Sequence, residues 1–286
     1  FIKSNEKSVS RKKIRMSKLR IRTISAIFFA PVVIGAVYFS SISFQLLWIF
    51  VVAVCGYELS GMLGNKYGAV TPSRRIIYSL IPLQAFIMAL LYLQGILGLS
   101  ALVVDLILSI IITLLLSTFT ADHNPLKVFG SIFITLIYVA LPLYLLTMIC
   151  QVNGVYDFSP CLGLLFLIWA NDMGAYFAGS KLGKNKLAPN ISPNKTWEGF
   201  YGGLVLAIVI GAVIASAIDE PITVWIIYGA AAGIFGTLGD LFESALKRYT
   251  GVKDSGNIMP GHGGLLDRFD GFFFLIPIIW VLHQLL

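Results

Sequence analysis

The sequence predicts an all-α polytopic membrane protein of about nine transmembrane helices, with its N-terminus cytoplasmic and its C-terminus on the opposite side. Three observations lead there. Of the 286 residues, 57% are hydrophobic and 12% charged, with a mean hydropathy of +0.85, where an ordinary soluble domain carries about 25% charged residues. Apolar runs long enough to cross a hydrocarbon layer of about 30 Å recur along the chain. Between those runs, Lys and Arg fall on alternate connections, the bias that keeps basic loops on the cytoplasmic side.

Residues 1–22 form a basic segment with Lys3, Lys7, Arg11, Lys12, Lys13, Arg15, Lys18, Arg20 and Arg22. That density suits an anionic membrane surface, and equally a solvated tail. The segment is too polar for a secretory signal; Phe1 rather than Met opens the sequence, which leaves room for residues upstream. Residues 23–158 are expected to hold five helices, over about 23–40, 43–63, 75–94, 97–119 and 126–150, and residues 159–286 four more, over about 160–180, 200–218, 222–246 and 269–286. Between the sixth and seventh lies KLGKNKLAPNISPNKTWEG, where Pro189 and Pro193 break any helix and a polar loop is expected. With the N-terminus inside, the tail, the connections at Lys66 to Arg75, at Lys127, at Lys181 to Lys195 and at Lys247 to Arg268 are all inner and hold all 21 Lys and Arg. The outer loops near Gly95, Asn153 and Asp219 hold none. Cys55, Cys150 and Cys161 lie singly in apolar surroundings and read as packing residues, although Cys150 and Cys161 flank one short loop that a disulfide could close.

Charge inside such a chain needs a reason, because a carboxylate near mid-bilayer costs about 2.5–3.5 kcal/mol on insertion scales. Glu58 and Asp105 have no motif neighbours, and structural pairing with cations is the expectation for both. Asp172 follows Asn171 in the sixth helix, about 13 Å along the axis from Lys181, and Asp240 is about 10 Å from Lys247, so both hang below the cytoplasmic surface. Asp240, Glu243 or Ser244, and Lys247 recur at three- and four-residue spacing and share one helical face near the inner end of the eighth helix, and Asp267 and Asp270 repeat that geometry. Between these two helix ends runs SALKRYTGVKDSGNIMPGHGGLLDRFD, from Ser244 to Asp270. Two acidic helix ends across a glycine-rich loop would suit Mg²⁺, which takes one or two carboxylates and completes its shell with water and substrate phosphate. Structural salt bridges to Lys247, Arg248 and Arg268 are the alternative. His262 is read either as a contact to a phosphate or leaving group or as a structural hydrogen bonder. Lys181, Lys184, Lys186, Ser192 and Lys195 would meet an incoming polyanion first; alone they would be a solvated basic loop. Gly229, Gly233 and Gly236 read as close helix contacts. The motifs of soluble nucleotide and hydrolase sites, GxxxxGK[ST], GxGxxG after a strand, HExxH and GxSxG, are missing.

At these residues the sequence resembles the phosphatidate cytidylyltransferases, also called CDP-diacylglycerol synthases. The family signature maps onto Ser244, Leu246, Lys247, Arg248, Lys253, Asp254, His262, Gly263, Gly264, Asp267, Arg268, Phe269 and Asp270. NDMGAYFAGSKLGKNKLAPNISPNKTWEG and GTLGDLFES are also similar to the family's segments, so the likeness is close over residues 165–272. The first 150 residues match only as a hydrophobic region. Met259 stands where Leu, Ile or Phe is usual and Gly271 where Ser is frequent. The resemblance implies a catalytic C-terminal region that transfers CMP from CTP to phosphatidic acid, giving CDP-diacylglycerol and pyrophosphate with Mg²⁺ as cofactor; whether a monovalent cation assists is left open. It implies catalytic roles for Lys247, Arg248, Lys253, Asp254, His262 and Arg268. Substrate contacts would come from Ser192, Lys195, Ser244, Gly263 and Gly264, and metal ligands from Asp240, Asp267, Asp270 and Asp172. The expected setting is a bacterial inner membrane with the site facing the cytoplasm, membrane lipids as surroundings, a homodimer allowed by small-residue faces, and no nucleic acid. The rival readings are a CTP-dependent kinase of a polyprenol lipid and an ion-coupled transporter built on Asp105 and Asp172.

Overall fold

The computed structural model describes residues 28–68, 70–119, 125–152, 154–258 and 263–286. Nine helices follow one another among these residues: α1 (Phe28–Phe39), α2 (Ser41–Tyr67), α3 (Pro72–Leu93), α4 (Leu99–Phe119), α5 (Pro125–Cys150), α6 (Ser159–Leu182), α7 (Trp197–Ile218), α8 (Ile222–Tyr249) and α9 (Leu266–Leu285). Each lies on an apolar run expected from the sequence. Seven of them, α2 to α8, are long and apolar enough to cross a membrane. The basic segment 1–22 and the start of the first apolar run lie outside the described residues.

Local chemistry sets the helix boundaries. Ser40 and Ser43 close a reciprocal capping box that starts α2, with Ser40 alone between it and the end of α1. Pro72 occupies the first turn of α3, where its missing N–H is no loss. Thr196 Oγ1 accepts the Gly199 N–H at 3.2 Å and starts α7, which ends at Asp219 in the left-handed region (φ 58°). Two helices widen into a π-helical stretch, α5 at Thr135–Ala140 and α8 at Ala232–Gly236. Both lie beside the site described below, where such bulges tend to occur.

The segment between α6 and α7 corrects the sequence expectation of a plain polar loop. Lys186–Ala188 (β3) and Ser192–Thr196 (β4) pair antiparallel, with Lys186 opposite Thr196 and Ala188 opposite Ser192. Pro189 falls in the turn, and a two-stranded ribbon is all edge, so Pro193 costs no ladder bond that a central strand would need. A shorter hairpin, Gln151–Val152 (β1) with Val155–Tyr156 (β2), joins α5 to α6.

Small residues bring the last four helices together. A Cβ added at Gly174 would stand 2.5 Å from the Gly202 carbonyl oxygen, one at Gly229 2.6 Å from that of Ala207, and one at Gly233 2.7 Å from Leu204 Cα. Gly236 differs in kind: a Cβ there would meet the end of the Ile168 side chain at 2.7 Å, while its own backbone is what Gly271 of α9 packs against. These small faces of α8 are therefore used for packing inside the chain, which withdraws them as an argument for a homodimer. On the other side, Trp48 of α2 stacks on Phe272 and meets Phe269 edge-on, and Phe29 of α1 packs on Phe269, so α9 is gripped by α1 and α2. The contrast is α4, largely exposed except for a line of polar residues at four-residue spacing, Asp105, Ser109, Thr113 and Ser117. All three cysteines are buried and free, so Cys150 and Cys161 pack without a bridge.

Candidate active site

The last two helices meet through glycine. A Cβ at Gly239 of α8 would stand 2.7 Å from the Asp270 carbonyl oxygen, and one at Gly271 of α9 2.9 Å from that of Gly236. This closeness puts the charged end of α8 beside the first turn of α9. Between them, and against α6, lies a cavity of about 290 Å³ lined by Asp172, Asp240, Lys247, Asp267, Arg268 and Asp270, with Asp254 of the intervening loop. Asp172 and Asp270, far apart in sequence, thus share one small polar space.

Within it the predicted face of α8 is continuous: Ser244 Oγ donates to Asp240 Oδ1 at 3.2 Å, and Lys247 Nζ donates to Glu243 Oε2 at 2.5 Å. Lys247 also reaches across to Asp267 Oδ1 at 2.7 Å, and Lys195 of β4 pairs with Asp240 Oδ2 at 2.6 Å. The pairing alternative thus describes Asp240 and Asp267 in this state. Asp270 Oδ1 accepts its neighbour's N–H, from Gly271, at 2.7 Å, and its carbonyl accepts the Tyr138 hydroxyl of the α5 π stretch at 3.1 Å.

Asp267 does more than line the cavity. Its Oδ2 accepts the backbone N–H of Ser255 (3.0 Å), the Ser255 hydroxyl (2.9 Å) and the N–H of Gly264 (2.8 Å). Gly263 sits at φ 83°, where a side chain would be strained and its Cβ would stand 2.5 Å from Asp267 Oδ2. In this state the Gly264 N–H, expected from the resemblance to contact substrate, is bound to an internal carboxylate. Gly261 and His262 lie outside the described residues.

Glu58 has a structural role beside the site whose partners sequence reasoning missed. Buried on α2, it accepts the N–H groups of Leu265 (3.0 Å) and Leu266 (2.9 Å) and the Ser255 hydroxyl (3.3 Å). It therefore caps α9 from a helix some two hundred residues earlier, satisfying donors that a helix start leaves open. Its partners are backbone and hydroxyl groups rather than the expected cation. The glycines at 256 and 264 make room for it, since added Cβ atoms would stand 2.5 Å from Glu58 Oε1 and Oε2 respectively. The other acid of the early region, Asp105, takes a hydrogen bond from Gln84, again a neutral partner.

The remaining predicted residues surround this core. Arg248 Nε donates to the Ile191 carbonyl (3.4 Å) and Nη1 to that of Val252 (3.3 Å), tying the β3–β4 ribbon with Ser192 and Lys195 to the end of α8. Lys253 is exposed on the loop. From α2, Asn65 donates to the Thr250 carbonyl at 2.6 Å and Lys66 lies over the Tyr249 ring at 5.0 Å.

Among the described residues no three His, Cys, Asp or Glu side chains are grouped closely enough to hold a metal ion by themselves. The donor chemistry nevertheless fits one. Five carboxylates line the cavity against Lys247 and Arg268, and a hard divalent cation bound by one or two carboxylates and substrate phosphate needs no all-protein cage.

The family model described as the cytidylyltransferase family matches residues 20–286. The chain belongs to the cytidylyltransferase family. Among curated members, the phosphatidate cytidylyltransferase of Bacillus subtilis (strain 168) is 49% identical over 137 residues, 47% of this chain and 49% of that protein. Those of Staphylococcus aureus (strain COL) and Staphylococcus haemolyticus (strain JCSC1435) are 50% and 49% identical over 118 residues, 41% of this chain and 45% of each relative. The matches thus span about half the length of these curated relatives. The family model reaches across the N-terminal helices as well, where the sequence alone offered only hydrophobicity.

Proposed function

We propose that this member of the family transfers CMP from CTP to phosphatidic acid, forming CDP-diacylglycerol and pyrophosphate. The observation that carries the reading is the shared cavity of Asp172, Asp240, Asp267 and Asp270 with Lys247 and Arg268 at its wall and Lys195 paired with Asp240, built from the segments that resemble the family. The names of the curated relatives point the same way.

In this mechanism an oxygen of the lipid phosphate attacks the α-phosphorus of CTP in line, a P–O bond forms, and the bond from the α-phosphorus to the bridging oxygen breaks as pyrophosphate leaves. The nucleophile is already an anion, so no general base is needed. The task of the protein is to hold two polyanions together. Lys247 and Arg268 neutralise phosphate oxygens from the cavity wall. Lys195, on a ribbon at the cavity edge, exchanges Asp240 for the lipid headgroup. Asp240, Asp267, Asp270 and Asp172 would hold Mg²⁺, which when bound supplies charge neutralisation at the phosphoryl groups. Asp267, with its hydrogen bonds to Ser255 and Gly264, also keeps the loop against α9.

The basic residues support nine crossings with the N-terminus and the cavity on the cytoplasmic side of a bacterial inner membrane. The test is purified protein with phosphatidic acid, Mg²⁺ and CTP labelled at the α-phosphate. Label is expected in the lipid product. Label entering lipid from the γ-phosphate instead would make the protein a lipid kinase, and none from either position would remove the enzymatic reading.

A further inference from the structure

The carboxylate cavity is too small for a whole nucleotide. Its volume of about 290 Å³ lies at the lower edge of ordinary ligand pockets, about 300–1,000 Å³. A second cavity, of about 700 Å³, opens beside it between α2, the start of α3 and the loop after α8. Asp254 stands on the wall of both. The partition between them is the strap in which Ser255 bonds Glu58 on one side and Asp267 on the other.

Phosphates are better matched by the smaller cavity, where Lys247 and Arg268 stand among five carboxylates that would hold a divalent cation. The larger cavity offers one cation, Arg75, against Glu58 and Asp254. Its chemistry suits a planar, neutral, hydrogen-bonding group. Tyr57 offers an aromatic face, over which the Arg75 guanidinium lies at 5.6 Å from the ring centroid, its Nε held by the Val70 carbonyl at 3.2 Å. That arrangement sets a guanidinium over an aromatic face. Among the described residues neither the Tyr57 hydroxyl nor the Asn257 side chain has a hydrogen-bond partner. Glu58, by contrast, has both oxygens bound to backbone and Ser255, and Asn65 is bound to Thr250.

We propose that this cavity receives the nucleoside end of the nucleotide, with Tyr57, Arg75 and Asn257 contacting the base while the phosphates lie in the adjoining carboxylate cavity. The inference rests on the reading of the chain as a CTP-using enzyme and assigns base recognition to the N-terminal helices. It also gives Glu58 a second consequence: the residue that caps α9 forms the wall between base and phosphates, so the two cavities hold a fixed distance.

The experiment compares the full chain with Tyr57→Leu and Asn257→Ala, the latter an exposed loop change with no hydrogen bond to lose among the described residues. Loss of one good base contact corresponds to about tenfold, or about 1.4 kcal/mol. The expected result is a KM for CTP about tenfold higher in each variant, with KM for phosphatidic acid unchanged, kcat within about twofold, and reduced preference for CTP over UTP. An unchanged KM for CTP in both variants would overturn the proposal, as would a rise in the lipid KM alone, which would assign the cavity to the lipid. Should the unaltered chain fail to convert α-labelled CTP, the proposed function fails by itself. Equilibrium dialysis of labelled CTP without lipid then decides the cavity: binding weakened about tenfold in the variants sustains it, and equal or absent binding rejects it.

Discussion

The five N-terminal helices and the four C-terminal ones both bury acids, and they do so in opposite ways. In α2 and α4, Glu58 and Asp105 are 3% and 5% exposed and meet neutral partners, a pair of helix N–H groups and a Gln amide. In α8 and α9, Asp240 and Asp267 border an open cavity and meet Lys195 and Lys247. A sealed acid with neutral donors is stabilising its surroundings. An acid on a cavity, beside a cation that can exchange it for a ligand, is available for chemistry. The comparison teaches that intramembrane charge alone does not mark a site; access and the charge of the partner do.

The sharpest way to break this division is Asp240→Asn. The amide keeps the size and the Ser244 hydrogen bond but removes the charge that Lys195 and a metal would meet. CTP-dependent product formation is expected to fall by about a hundredfold or more, the loss typical of removing one electrostatic contact to a reacting phosphoryl or acyl group, while thermal unfolding of the purified protein is unchanged. Near-normal turnover would take Asp240 out of the site.

The next effect belongs to the other class. Glu58→Ala leaves the N–H groups of Leu265 and Leu266 buried without acceptors, at about 1–3 kcal/mol each. A destabilisation of about 3 kcal/mol is expected, read as a lower melting temperature in detergent and as new protease cleavage between residues 252 and 266. Activity should fall in parallel with the folded fraction. If stability held and turnover alone collapsed, Glu58 would belong with Asp240 and the division between the two regions would fail.

Sequence legibility follows the same divide. The apolar runs were readable because Lys or Arg falls on alternate connections between them, and Asp240, Ser244 and Lys247 because helical spacing alone places them on one face. Glu58 was not readable. It stands in an apolar helix with no motif around it, and its partners are backbone groups 207 and 208 residues away; nothing local encodes such a contact. The β3–β4 ribbon escaped notice because Pro189 and Pro193 argue against strands unless the ribbon is known to have only two. The π stretches and the larger cavity arise from how helices meet, which composition does not record.

A smaller change tests the room that Glu58 needs. Gly264→Ala would place a Cβ 2.0 Å from Ser255 Oγ and 2.5 Å from Glu58 Oε2, and overpacking of this kind costs about 1–3 kcal/mol. The loss should shrink when Ser255→Ala accompanies it, because the nearer of the two obstacles is then gone. A double mutant no better than the single one would mean that the backbone rather than this contact limits position 264.

The smallest effect is expected where a transporter would show its largest. Asp105 lies on the one buried line of a helix that is otherwise largely exposed, along with Ser109 and Thr113, and it accepts a hydrogen bond from the Gln84 amide. In an ion-coupled protein such a residue would bind and release the driving ion, and Asp105→Asn would uncouple it. In the division argued here it only ties α4 to α3, and Asn keeps an acceptor for Gln84 without the charge. Turnover of labelled CTP within about twofold of the unaltered protein is expected, about 0.4 kcal/mol at most, with a slightly raised melting temperature because a buried charge has been removed without replacing its hydrogen bond. A loss of activity as deep as that of Asp240→Asn would instead join the polar line of α4 to the reaction and extend the site across both halves of the chain.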